Sequence, residues 1–462
     1  MRLTGERGAI RPADLDAMRD SGLAHLLAIS GLHIGLVGGI LFFGIRLTLA
    51  AFERVALRYP IKKWAAAAAV VGTFGYLLIS GATVPTQSAF IMLGLVFTAV
   101  MLDRLPISMR LVARAAVAVL VIAPESLLSV SFQMSFAAVI ALVAVYEAVV
   151  ARAAARVAPG RLPRWLGYLG GILLTTLVAG LATAPFALYH FNRMTLYGVV
   201  ANLLAIPLAG TWIMPWAVAT FALMPFGLEQ FGLVPMGWGI EGVIAVARWV
   251  QSLPGSVAVL PAMPPFGLAL VALGGLWLCL WRQRWRYFGL APVAAGMISI
   301  ALVQPPDVLV DDSGRLMAVR GADGALTLSS RRVARFKAAV WLRRAGETEA
   351  KQWPRDGAGG NGPIACDGLG CIYRTAGHTV ALVRHQAALA EDCAIATVVI
   401  SRVPVRHSTC SKPLAVIDWF KLWRDGAHAV WLEADGVRVE SVSGSIGDRP
   451  WNRRRGRTRG RR

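Results

Sequence analysis

The sequence predicts a polytopic α-helical membrane protein, with about eight to ten transmembrane helices, followed by a small α/β soluble domain. Three observations predict it. Of the 462 residues 56% are apolar and only 16% are charged, with a mean hydropathy of +0.58; a soluble globular chain carries about 25% charged residues. The long apolar runs end near residue 303, and from Asp307 the chain becomes mixed and charged. The net charge is +21, from 47 Lys and Arg against 26 Asp and Glu, and a chain both oily and basic reads as membrane spans joined by basic loops. This composition excludes a wholly water-soluble enzyme and a disordered chain.

Residues 1–22 are charged and read as a short periplasmic lead-in. A spanning helix needs roughly 20 mostly apolar residues. In the region 23–303 the candidate segments are residues 23–50, 64–82, 89–102, 107–123, 132–150, 166–189, 196–224, 231–252, 266–281 and 287–303. The third is short, the fourth carries Arg110 and Arg114, and the eighth carries Glu241 and Arg248, which makes it a candidate for lying flat at the interface. Ten is the upper count. Basic residues cluster in alternate loops: Arg54, Arg58, Lys62 and Lys63; Arg104, with Arg110 after it; Arg152, Arg156, Arg161 and Arg164; Arg282, Arg284 and Arg286. Arg193 is the exception. The positive-inside rule puts those loops in the cytoplasm of a bacterial inner-membrane protein. Both chain ends, and with them the soluble domain, are then expected in the periplasm.

Several segments are interrupted. The first contains Ser30, Gly31, His33 and Gly35; the second runs out through Val84-Pro85-Thr86-Gln87; the fifth opens on Gln133 and Ser135; the sixth holds Pro185; the seventh holds Asn202 and Pro207. Gly and Pro free backbone groups that are tolerated at membrane depth only when buried or facing water. Polar side chains there tend to face a bundle interior or a pathway. Helix packing is the competing role for any one small residue, but five interrupted segments together point to a pore or transport cavity. His25 and His33 lie eight apart on one side of a helix; zinc would call for i, i+4 spacing and more ligands, so they read as hydrogen-bonding groups.

The soluble region, residues 304–448, shows strand-like runs at 308–310, 316–319, 325–328, 379–383, 396–400 and 429–432, helical patterns at 333–343 and 414–424, and a Gly-rich loop at 354–363. Four of the five cysteines lie here, Cys366, Cys371, Cys393 and Cys410. An even number in a domain placed outside the cytoplasm favours disulfides. A tight Asp-Gly-Leu-Gly turn separates Cys366 from Cys371 and favours that bridge, leaving Cys393 with Cys410; sequence alone allows three pairings, and a four-cysteine zinc site is the rival. Cys279 reads as a packing residue. His378, His385, His407 and His428 are scattered, with no H-x-H-x-D-H run, and no G-x-S-x-G elbow surrounds Ser408. No enzymatic activity, metal or cofactor is therefore expected. A G-x-x-x-x-G-K-S/T motif is absent, so nucleotide-driven pulling would need another protein. Residues 449–462 hold eight arginines in fourteen positions, which reads as a disordered tail suited to headgroups or nucleic-acid phosphate.

The run from Gly22 to Leu36, GLAHLLAISGLHIGL, resembles the signature of the ComEC competence family. Three further blocks follow in the family's order: Val84 to Met92, Ser131 to Phe136, and Tyr189 to Arg193 with Ala201 to Leu208. Together they cover about residues 5–260. The resemblance implies an inner-membrane channel that passes single-stranded DNA into the cytoplasm during natural transformation. It implies as partners DNA, a periplasmic DNA receptor, a cytoplasmic helicase-like motor and single-strand-binding proteins. On it the expected DNA path comprises Ser30, Gly31, His33, Gly35, Thr86, Gln87, Gln133, Ser135, Arg193, Asn202 and Pro207, with Phe132 and Phe191 as stacking candidates. Three departures stand out. Only 21 residues precede the Gly22 block, where family members carry membrane helices and an oligonucleotide-binding-type barrel, so the start reads as truncated, mis-started or naturally short. Ser88 stands where the family often has Arg. The C-terminal region resembles a reduced metallo-β-lactamase-like domain whose metal-binding motif is missing, so no nuclease activity is expected. The alternatives are a transporter of another polyanionic or lipid-linked substrate, or a non-functional family member.

Overall fold

The computed structural model describes residues 10–27, 31–104, 108–154, 164–321, 323–353, 363–375, 377–406, 408 and 410–447. The expected path residue Ser30, the Gly-rich loop 354–362, His407 and the Arg-rich tail lie outside the described residues. The chain divides into two units, Met1–Ala258 with Met263–Ile300, and Val259–Ala262 with Ala301–Arg462.

The first unit is helical. Its helices are α1 (Pro12–Asp20), α2 (Ala24–Leu27), α3 (Gly31–Ala50), α4 (Glu53–Arg58), α5 (Ile61–Ile79), α6 (Val84–Met101), α7 (Met109–Ile122) and α8 (Val130–Ala154), then α9 (Arg164–Phe191), α10 (Gly198–Leu208), α11 (Met214–Leu223), α12 (Gln230–Gln251), α13 (Pro265–Leu280) and α14 (Leu290–Ile298). Among the described residues six helical stretches are long and apolar enough to cross a membrane: His33–Ala50, Val130–Val149, Leu166–Phe191, Gly198–Phe226, Gln230–Gln251 and Arg284–Leu302. Two shorter apolar helices, Pro85–Met101 and Pro265–Leu280, accompany them.

One expectation changes. The fourth expected segment forms α7, which has 14 residues. At 1.5 Å per residue it extends about 21 Å, short of the roughly 30 Å hydrocarbon core; Val112, Ala115 and Val119 pack it against Phe132, Phe136 and Val143 of α8. Within the lead-in, Pro12 opens α1, and Asp14, Ala17 and Met18 are buried. Elsewhere small residues set the spacing. On Gly274 of α13 an added Cβ would stand 2.6 Å from the Gly289 carbonyl, and on Gly296 of α14 2.5 Å from the Gly267 carbonyl, so these backbones touch because neither side carries a side chain.

The second unit contains two sheets. Six strands run in the order Gly436–Ser441, His428–Glu433, Val308–Val310, Met317–Arg320, Leu326–Leu328, Lys351–Gln352. Five run in the order Ala415–Ile417, Val398–Ser401, His378–Val383, Gly370–Thr375, Ile364–Cys366. In the second sheet the first three strands are parallel and the rest antiparallel. Val308, Val310, Val319, Val380, Val398 and Ile400 share one core, and α15 (Arg335–Ala345) covers a second cluster around Leu316 and Leu342. The pattern at 414–424 resolves into a strand, Ala415–Ile417, and then a short helix, Trp419–Asp425. Asp418 divides them, because its carboxylate accepts the Lys421 N–H as an N-cap. Cys366 is disulfide-bonded to Cys371 and Cys393 to Cys410, while Cys279 is a free thiol.

Candidate functional site

Two carboxylates of α1 organise one end of the helical unit. Asp14 is buried, and its Oδ1 accepts from Arg248 of α12 through Nη2 at 2.5 Å and Nε at 3.0 Å. Its Oδ2 accepts from Arg11 Nε at 2.9 Å. The Arg248 hydrogen bond, helped by Arg11 against the cost of burial, holds the Asp14 carboxyl below the usual carboxylate range. One turn and a half along, Asp20 accepts from Arg193 Nη1 at 2.8 Å and from Gln251 Nε2 at 2.9 Å. Arg248 of α12 and Arg193 after α9 are thus neutralised by α1, which is what such groups beside an apolar bundle require.

Next to Asp14 lies a cavity of about 200 Å³ lined by Met18, Leu26, His33, Ile213 and Val243 among others. His33, 6% exposed, brings an imidazole to a largely apolar wall. Part of that wall is a break in the helix. Pro207 inside α10 and Pro215 at the start of α11 each lack an N–H, and the backbone between them, Ala209–Ile213, forms a π-helical turn. Thr211 donates its hydroxyl to the Pro207 carbonyl at 2.7 Å. On α10 the Asn202 Oδ1 is buried with no hydrogen-bond partner among the described residues, as is the Arg193 Nε; buried polar atoms of this kind mark places for water or a ligand.

The other expected path residues sit elsewhere and do more local work. Gln133 of α8 donates Nε2 to the Leu127 carbonyl at 3.1 Å, and its Oε1 lies 2.8 Å from His190 Nε2 of α9. That oxygen only accepts, so His190 carries its proton on Nε2. Thr86 donates to the Thr83 carbonyl at 2.7 Å and Gln87 Nε2 to the Ala82 carbonyl at 2.8 Å. Both secure the turn between α5 and α6, where Ala82 holds a positive φ of 45°. Gly31 and Ser135 are exposed, and Gly35 has open space where a Cβ would stand. Phe132 is buried against Phe136 with centroids 4.3 Å apart, a core contact, while Phe191 is half exposed. Among the described residues the structure therefore gathers His33 beside Asp14, Gln133 with His190, and Arg193 with Asp20.

Sequence reasoning missed Asp14, Asp20, Gln251 and His190. The signal was present in Arg248. An arginine inside an apolar helix demands a carboxylate partner, and the acidic residues of 12–20 supply one.

In the second unit the described histidines turn to the main chain. His378 Nε2 meets the Glu433 carbonyl at 2.8 Å, His428 Nδ1 the Gly426 carbonyl at 2.9 Å, and His385 Nδ1 accepts from the Ala387 N–H at 3.3 Å. No group of three or more His, Cys, Asp or Glu arranged to hold a metal occurs among the described residues.

Comparison with known proteins bears on the helical unit. The family described as Competence protein matches residues 3–285. ComE operon protein 3 of Bacillus subtilis (strain 168) is 27% identical over 222 residues, covering 46% of this chain and 25% of that protein. Competence protein ComA of Neisseria gonorrhoeae is 36% identical over 139 residues, covering 30% of this chain and 20% of that protein. The chain thus aligns with a quarter or less of either relative's length. No solved structure matches it.

Proposed function

The chain belongs to the competence protein family, and on that premise we propose that it is an inner-membrane component of the channel that carries single-stranded DNA into the cytoplasm during natural transformation. The observation that supports this reading best is the cavity beside α1. There a buried imidazole, a proline-bounded π turn and the Asp14–Arg248 pair meet at one end of the helical unit. Polar groups and broken backbone at membrane depth are costly unless they face a path or a ligand. Relatives named for the competence operon and for competence support the cargo.

On this reading the chain is a conduit and not an enzyme. Its multi-pass helical unit lies in the inner membrane, and its C-terminal unit lies in the periplasm. A periplasmic DNA receptor delivers the strand, and a helicase-like motor with single-strand-binding proteins draws it in on the cytoplasmic side. The test is entry of labelled DNA into the cytoplasm of a transformable host whose own family member is deleted and replaced by this chain, alone or extended upstream in frame. Entry restored by either version, and lost again with Arg248→Ala, is the expected result. DNA that enters equally well in the uncomplemented deletion overturns the reading. Intact labelled DNA after incubation with purified full-length chain and divalent cations is expected; its degradation removes the non-enzymatic assignment.

A further inference from the structure

We propose that Arg315, Arg384 and Arg402, with the hydroxyls of Ser329 and Ser330, form a pocket in the C-terminal unit that binds a phosphate group, as a free anion or on a phosphomonoester or phosphodiester. The inference is independent of the channel reading.

The pocket arises from the ends of four strands. His378–Val383 and Val398–Ser401 are parallel neighbours in register, with Val383 opposite Ser401. Arg384 and Arg402 are the next residue of each, so two guanidinium side chains leave the same carboxyl end of a parallel pair, where ligands of α/β sheets collect. The Arg402 N–H donates to the Val383 carbonyl at 3.1 Å and continues the ladder to that point. From the other sheet, the turn between Val308–Val310 and Met317–Arg320 presents Arg315, and the end of Leu326–Leu328 presents Ser329 and Ser330. These five side chains and Val333 line a space of about 420 Å³.

Main-chain carbonyls hold Arg402 in place. Arg402 donates Nε to the Gly314 carbonyl at 2.6 Å and Nη2 to the Arg315 carbonyl at 3.0 Å. Gly314 has φ +65°, and a Cβ there would approach Arg402 Cγ to 3.3 Å, so glycine lets the guanidinium stem pass. Arg384 reaches the Cys371 Sγ at 3.3 Å. The nearby carboxylate, Asp311, is spent on the turn: it accepts the Arg315 and Leu316 N–H groups, the Ser313 hydroxyl and Lys337. Burial, then the neighbouring Arg384 and Arg315 cations, push Arg402 below the usual guanidinium range, with Asp311 opposing. Ser329 accepts from the Met317 N–H and Ser330 from the Arg332 and Val333 N–H groups, which leaves each hydroxyl proton to donate. Three guanidinium forks and two hydroxyl donors match a tetrahedral, multiply charged oxyanion better than a singly charged carboxylate.

The full-length chain in nonionic detergent is titrated with inorganic phosphate, with a fluorescent single-stranded hexanucleotide bearing or lacking a 5′-phosphate, and with short-chain phosphatidylglycerol. The three arms separate free phosphate, nucleic-acid phosphate and lipid headgroup as the source. Arg315→Ala removes an exposed guanidinium that holds no other side chain among the described residues, so its melting curve should match the parent's. Its phosphate affinity should fall about tenfold, as loss of one charge-assisted contact implies. Arg315→Lys should recover part of that loss, and Arg424→Ala, which removes a basic residue outside the pocket, should leave phosphate affinity unchanged. If the oligonucleotide is the tightest ligand, Arg315→Ala should also lower its salt slope by about 0.7 to 1. Unchanged phosphate affinity in both Arg315→Ala and Arg402→Lys overturns the proposal, and so does an equal loss in Arg424→Ala, which would mean that net charge alone is read.

Discussion

In the helical unit Leu47 and Leu181 are each 75% exposed, whereas in the sheet unit Val380, Val398 and Ile400 have no exposed surface at all. The same residue types face opposite ways. Water drives apolar side chains of the sheet unit inward, and lipid gives those of the helical unit no reason to hide. Cohesion differs accordingly. The sheet unit relies on a two-sheet core and two disulfides. The helical unit relies on glycine-to-backbone contact between α13 and α14 and on ion pairs such as Asp14–Arg248. The inside of each unit is therefore defined by a different solvent.

The comparison is broken most severely at the sheet core. Ile400→Ala should destabilise the C-terminal unit by about 2–5 kcal/mol, read as urea-dependent proteolysis of that unit in the full chain, with the helical unit unaffected. Next is the apolar exterior of α9. Leu181→Arg should cost about 3 kcal/mol of membrane insertion, measured in a glycosylation-based insertion assay. Phe336→Arg, equally exposed but on α15, should change stability by no more than about 0.5 kcal/mol. Equal tolerance at both sites would mean that α9 does not face lipid. Removing the second disulfide with Cys393→Ala and Cys410→Ala should cost about 3 kcal/mol, because the denatured chain regains a closed loop's freedom; reductant should shift the same unfolding transition in the parent.

Smaller effects sharpen the helical side. Asp14 has its carboxyl held below the ordinary 3.8. Its stabilisation is complete above that value and is lost as pH falls through the lower folded-state value. Asp14→Asn should therefore melt below the parent in detergent at neutral pH, and the two curves should begin to approach each other below pH 3.8 and converge only once the pH has passed the lower folded-state value. A gap that persists in strong acid would mean that packing, and not charge, is what Asp14 contributes. The smallest effect is expected at the exposed Lys351–Asp323 pair of the sheet unit: Lys351→Ala should leave the melting temperature nearly unchanged, because solvent screens an exposed ion pair.

Much of this was legible in the residues. Apolar runs of spanning length marked most of the helices, and short strand-like runs at 308–310, 379–383 and 396–400 marked the strands Val308–Val310, His378–Val383 and Val398–Ser401. Four ordered blocks marked the family. The strand at Ala415–Ile417 was hidden, because three apolar residues before a helix match the helical period as well as a strand's. The strand Gly370–Thr375 pairs with its immediate neighbours in sequence, but it was hidden because it opens on Gly370 and carries Arg374, residues that do not mark a strand. The candidate site was only partly legible: the sequence pointed to His33, but not to the Asp14 carboxylate beside it.

What the sequence by itself determined is the division into an oily helical region and a sheet-rich region, since hydropathy and period are local properties of the chain. The tertiary structure alone decided that Asp14 answers Arg248 across 234 positions, that Arg193 is bound to Asp20, and that Arg315, Arg384 and Arg402 converge. Charge pairs and pockets depend on distance in space, and no periodicity along the chain encodes which far-off residues a fold will bring within hydrogen-bond reach.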